Sequence, residues 1–134
     1  QMAEAVAEGC REVAGTEVTL INVNEARVDM DAFAACDGVA LGSPDYFSYV
    51  AGGLKQFFDD AWIARRAGMS TGDKPCVQFL SHGGGGKAIS ALQRLCNSMG
   101  YTPVADPVSC VRAPSAEGVQ VCRDLGRTLA QKMG

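Results

Sequence analysis

Two short segments hold the residue types that could do chemistry. Ser43-Pro44-Asp45-Tyr46-Phe47-Ser48-Tyr49 sets three aromatic rings and one carboxylate within seven residues. Aromatic faces stack on flat heterocycles, and the backbone of a tight Ser-Pro turn can meet the polar edge of such a ring. Rings that merely plug the end of a sheet are the competing reading. Ser81-His82-Gly83-Gly84-Gly85-Gly86 carries four glycines in a row. A backbone bare of side chains lets a ligand come close and leaves N–H groups to donate to it; a flexible linker is the alternative. Together the two segments point to a site for a planar ligand with an electron-rich edge. His82 either passes a proton to that ligand or caps its loop. Asp45 either sets negative charge beside the ligand or is a plain turn residue next to Pro44.

Other chemistries fail on spacing. A phosphate-binding loop of the form G-x-x-x-x-G-K-[ST] would need Gly where Ser81 stands and Ser or Thr where Ala88 stands. His82-Gly83-Gly84-Gly85 is similar to the oxyanion loop of lipase-like hydrolases, but the chain has no G-x-S-x-G turn and its single histidine is already in that loop. No G-x-G-x-x-G opens a helix ahead of a suitably spaced acid. The six cysteines, Cys10, Cys36, Cys76, Cys96, Cys110 and Cys122, include no C-x-x-C pair, so no zinc or thioredoxin-type site is expected.

The elements that must position the two segments follow from periodicity. Met2, Val6, Cys10 and Val13 repeat at helical spacing up to Gly15. Glu17–Val23 is β-rich and reads as a strand near a sheet edge. Asp29–Cys36 reads as a short helix, and Gly38–Gly42 as a brief strand covered on both faces. Leu54, Phe57, Phe58, Ala61 and Trp62 mark a helix with one buried face, which favours Trp62 as a core residue over a ligand contact. Pro75–Ser81 is a third strand; Ile89, Leu92, Leu95, Cys96 and Met99 mark a helix closed by Gly100. Val104–Val111 holds a further strand, edge or bulged because of Pro103 and Pro107. Ser115 is placed to cap a last helix whose Val119, Cys122, Leu125, Leu129 and Met133 face inward. Strands alternating with helices imply a parallel sheet with helices on both faces. In such sheets ligands bind at the carboxyl ends of the strands, where both candidate segments lie. The expectation is one α/β domain over 1–134.

Bulk properties narrow the function. Apolar residues make up 47% of the chain and charged ones 20%, as in folded globular proteins. A formal charge of −3 with scattered Lys and Arg gives no electrostatic footprint for nucleic acid or for an anionic membrane. Reduced cysteines at apolar positions fit a cytoplasmic location. No apolar run approaches membrane-spanning length.

The chain resembles the flavodoxin-like flavoproteins, which include flavodoxins, NAD(P)H:quinone oxidoreductases and FMN reductases. Gly42-Ser43-Pro44-Asp45-Tyr46-Phe47 is similar to the family's G-[ST]-P-x-[YF] flavin loop. Met2–Gly9 looks like its first helix, Gly52–Asp59 like the helix after the flavin loop, and Ser81–Gly86 like its second flavin loop. The resemblance implies a three-layer α/β/α sandwich with a doubly wound parallel sheet in the order 2-1-3-4-5. It also implies FMN as cofactor, contacted by Ser43, Pro44, Asp45, Tyr46, Phe47 and Tyr49 on one side and by Ser81, His82, Gly83, Gly84, Gly85 and Gly86 on the other. In the family a central strand and a [ST]-x-T-G-x-T phosphate loop come before the first helix, and neither is among these residues. The expectation is therefore an amino-terminally incomplete domain with no phosphate ligand to name. The implied function is reduction of quinones or similar acceptors by NAD(P)H. A flavodoxin-type carrier with a redox protein partner and a domain that has lost flavin binding are the alternatives. A homo-oligomer is left open.

Overall fold

The computed structural model describes residues 1–133. Helix α1 (Met2–Arg11) buries Met2, Ala5, Val6, Gly9 and Cys10, the stripe that its sequence marks, and Gly15, at φ +82°, turns the chain away after it. The short α2 (Met30–Ala34) starts at Asp29, whose carboxylate accepts the Asp31 N–H at 2.9 Å. Strand β1 (Val39–Pro44) leads to α3 (Gly52–Arg66), and β2 (Pro75–His82) to α4 (Ala88–Ser98). The last strand position is shared by β3 (Thr102–Pro103) and β4 (Val108–Val111), ahead of α5 (Ala116–Met133). Ser115 caps α5, its hydroxyl accepting the Gly118 N–H at 3.1 Å.

All strand pairs are parallel. β1 lies on one side of β2, with Leu41 opposite Gln78, and β3 and β4 lie on the other, with Phe79 opposite Val108. The break between β3 and β4 includes Pro107, which has no N–H for a ladder. β2 is the middle of the sheet and its residues 76–80 are buried. Successive side chains on a strand point to opposite faces. Cys76 accordingly joins a core with Leu54, Phe57, Phe58 and Ala61 of α3 and Leu92 and Cys96 of α4. Val77 and Phe79 join a second core with α1 and α5. The layers are α/β/α, as expected.

Within the second core the backbones of α1 and α5 nearly touch. A Cβ on Gly126 would lie 2.0 Å from the Val6 carbonyl oxygen, and one on Gly9 1.9 Å from that of Arg123. Glycine is required at both crossings. Salt bridges from Arg123 to Glu8 (2.8 Å) and from Arg127 to Glu12 flank the contact.

Two expectations are corrected. Glu17–Val23 makes no ladder and runs into a turn at Val23, and Leu20 and Ile21 are exposed. Among the described residues no strand lies beside this segment. β-propensity alone does not make a strand without a neighbour. Trp62 is not core; it is 46% exposed. At about 100° per residue it sits about 90° from the centre of the stripe formed by Leu54, Phe57, Phe58 and Ala61.

Candidate functional site

The carboxyl ends of β1, β2 and β4 stand side by side. Pro44 is opposite Ser81, Ser81 opposite Cys110, and His82 opposite Val111, so the loops after these strands leave the sheet as neighbours. The first two are stitched together by one residue. Asp45 donates its N–H to the Ser81 carbonyl at 2.8 Å. One of its carboxylate oxygens accepts the Ser48 N–H at 2.9 Å, and the other accepts the Ala88 N–H, at the start of α4, at 3.1 Å. A carboxylate at a helix amino terminus is favoured both by the free N–H groups and by the helix dipole. Asp45 is therefore neither a plain turn residue nor a free charge: it ties the aromatic loop to the helix that follows the glycine loop.

Beyond Asp45 the chain makes a tight hairpin. Tyr46 and Tyr49 exchange backbone hydrogen bonds of 2.9 and 3.0 Å, with Phe47 at φ +57° and Ser48 at φ +62° between them. Two successive positive φ values are the signature of a type I′ turn, which ordinarily takes Asn-Gly. The base of the loop is anchored by buried Val50 and Ala51, and the Ala51 N–H donates to Ser43 Oγ at 2.8 Å. The tip is open. Tyr46 and Tyr49 are exposed, and Phe47 is 102% exposed.

The second loop offers backbone. Nothing lies within 4 Å of where a side chain would begin at Gly83 or Gly84. The Gly84 N–H is not free, because it donates to His82 Nδ1 at 3.1 Å. That bond puts the proton of the neutral imidazole on Nε2. The His82 carbonyl accepts the Arg112 N–H at 2.7 Å. Gly86, at φ +65°, turns the chain into α4 and lies against the His82 ring.

The structure thus brings the proposed residues together, with divided roles. Ser43, Pro44 and Ser81 shape the two loop bases, Ser43 being 7% exposed. Tyr46, Phe47, Tyr49 and Gly83–Gly85 form the open surface. Two cations were not picked out by spacing: Lys87, exposed just before α4, and Arg112, exposed just after β4 at φ +56°. Arg112 reaches the site only through the β2–β4 pairing, which no local pattern reveals. Exposed aromatic rings and glycine backbone that no side chain shields thus leave the sheet from neighbouring strands.

No family model matches the chain. A flavodoxin of Aquifex aeolicus (strain VF5) is 34% identical over 98% of this chain and 78% of that protein. An NAD(P)H dehydrogenase (quinone) of Geobacter metallireducens is 33% identical over 80% of this chain and 65% of that protein. Among solved structures, a flavodoxin from the domain Archaea superposes with a TM-score of 0.83 at 25% identity, covering 98% of this chain and 87% of that one. The fold alone is shared with rubredoxin oxygen:oxidoreductase of Desulfovibrio gigas, with a TM-score of 0.82 at 20% identity over 98% of this chain and 32% of that one.

Proposed function

The chain belongs to the flavodoxin-like flavoproteins, and from that membership and the geometry of its paired loops we propose that it holds FMN at the carboxyl ends of β1 and β2 and works in electron transfer. The observation that carries this reading is the Asp45 stitch, with its backbone bond to Ser81 and its carboxylate bond to Ala88. It holds exposed aromatic rings and bare glycine backbone at the distance of neighbouring strands. FMN, when bound, supplies the electron chemistry, and the protein tunes it through stacking, hydrogen bonds and nearby charge. Tyr46, Phe47 and Tyr49 offer stacking faces. Gly83–Gly85 allow close approach of the ring edge. His82 holds a proton at Nε2 beside the same loop, and Ser43, Pro44 and Ser81 fix the loop bases.

The finer reading is reduction of quinones or similar acceptors by NAD(P)H. It is supported by the name of the Geobacter relative and by Lys87 and Arg112, whose charge at the rim suits a phosphate-bearing donor. A carrier that passes electrons to a redox protein is the second reading, supported by the match to the Aquifex flavodoxin over most of that protein.

Titrating FMN into protein at micromolar concentration tests the first step, with quenching of flavin fluorescence expected. NADPH and a quinone are then added to the loaded protein. Steady turnover supports the enzyme, and flavin that is chemically reducible without turnover supports the carrier. Absence of quenching overturns the flavin reading and leaves a domain that has lost flavin binding.

A further inference from the structure

A second depression lies away from the strand tips, between the carboxyl-terminal halves of α3 and α4. It is a shallow depression, open to solvent and lined by Trp62, Arg65, Arg66 and Ser98. α3 begins at Gly52, directly after the aromatic loop, and Trp62 is ten residues further along. The rise of a helix puts it about 15 Å toward the opposite end of the sheet.

The lining is of a particular kind. Trp62 is 46% exposed, leaving indole surface unpacked. Arg65 is held in place, donating to the Met99 carbonyl at 2.8 Å and to the Asp73 carboxylate at 3.0 Å, so its charge is largely balanced. Arg66 is exposed and makes no salt bridge among the described residues. The acids two turns earlier on the same helix, Asp59 and Asp60, are paired with Lys55 and Arg27. Ser98 donates its hydroxyl to the Arg94 carbonyl at 3.0 Å, which leaves the oxygen able to accept. An open indole face, a preorganised guanidinium and an unpaired one in the same hollow match a flat ring that carries a negative group.

We propose that this hollow is a second ligand site, independent of the flavin loops, for a planar aromatic ring bearing a phosphate, of about mononucleotide size. Trp62 stacks on the ring, and Arg66 pairs with the phosphate.

Trp62 is the only tryptophan in the chain, so its fluorescence reports on this site alone. AMP is the probe, titrated into flavin-free and FMN-saturated protein, with adenosine and inorganic phosphate as partial ligands and calorimetry as a second readout. The expected result is saturable quenching by AMP, with the same midpoint with and without FMN. Adenosine and phosphate alone bind more weakly. Arg66→Gln weakens AMP roughly tenfold or more, the loss of one charge-assisted hydrogen bond, and Trp62→Phe keeps only part of the calorimetric affinity. Three results overturn the proposal: quenching that rises linearly without saturation, an Arg66→Gln protein that binds AMP as well as the parent, or a Trp62 emission shift that follows protein concentration without AMP. The last would identify the patch as a contact between copies of the chain.

Discussion

Asp45→Ala separates the two loops without touching either core. The parent carboxylate accepts two backbone N–H groups, from Ser48 and Ala88, and the second of these opens α4. Losing a side-chain cap costs about 1 kcal/mol, and losing negative charge at a helix amino terminus costs a further ~0.5 kcal/mol. The Ser48 bond is exposed and adds a few tenths. The expected loss is about 1.5–2 kcal/mol, or roughly 5 °C in Tm for a domain of this size. Asp45→Asn retains one acceptor oxygen but neither the charge nor the second acceptor, so about half of the loss is expected. Because the same bonds set the aromatic hairpin against the glycine loop, FMN affinity should fall with stability, roughly tenfold for each 1.4 kcal/mol that binding must restore. Urea denaturation gives the first quantity and flavin fluorescence quenching the second. If Asp45→Ala matches the parent in both, the stitch holds nothing and the site geometry derived from it is wrong. Lower stability with unchanged FMN affinity would leave the cap real but its link to the ligand refuted.

Three further outcomes can be checked. Ser48→Gly relaxes a positive-φ residue (φ +62°) and should raise stability by about 1 kcal/mol in urea denaturation; a decrease would mean that the turn is not strained. Gly126→Ala places a methyl group 2.0 Å from a backbone oxygen of α1. It should cost about 3 kcal/mol, and a loss under about 0.5 kcal/mol, the range of neutral surface changes, would contradict the close helix crossing. The hydrogen bonds from Arg27 hold the Asp60 carboxyl below its ordinary value of 3.8. The stabilising contribution is therefore complete above pH 3.8 and is lost as the pH falls through the lower folded-state value. The Tm gap between the parent and Asp60→Asn should be full near neutral pH and close in acid, and a gap independent of pH would remove the ion pair from the account.

What was legible in the sequence was local. The helix faces of α1, α3, α4 and α5 follow from residue spacing, and β1 and β2 from short apolar runs between breakers, because these signals need only neighbours in the chain. The failures are non-local. Glu17–Val23 has the composition of a strand, but pairing is a property of two segments, and among the described residues this one pairs with no strand. Trp62 sits at the margin of its helix stripe, where a fixed spacing rule and real burial part company. The two candidate loops stand out by their composition, but the bonds of Asp45 that join them do not, since its carboxylate reaches Ala88, 43 positions away. Arg112 joined the site only once β4 was seen to lie beside β2.

The distribution of backbone strain bears on function independently of composition. Among the described residues four non-glycine residues have positive φ: Phe47, Ser48, Asp73 and Arg112. A residue in that region costs on the order of 1 kcal/mol and persists only where its surroundings hold it. Asp73 has a structural reason, since its N–H bonds to the Met99 carbonyl and its carboxylate to Arg65. Arg112 is held by its bond to the His82 carbonyl at 2.7 Å. Phe47 differs. Its backbone is strained and its side chain is wholly exposed, so folding gains nothing from the ring, and Asn-Gly would make the same turn with less strain. Packing accounts for neither the residue nor its position. On the proposed flavin reading, stacking on Phe47 and the flanking tyrosines would bury apolar surface that the folded chain leaves in water.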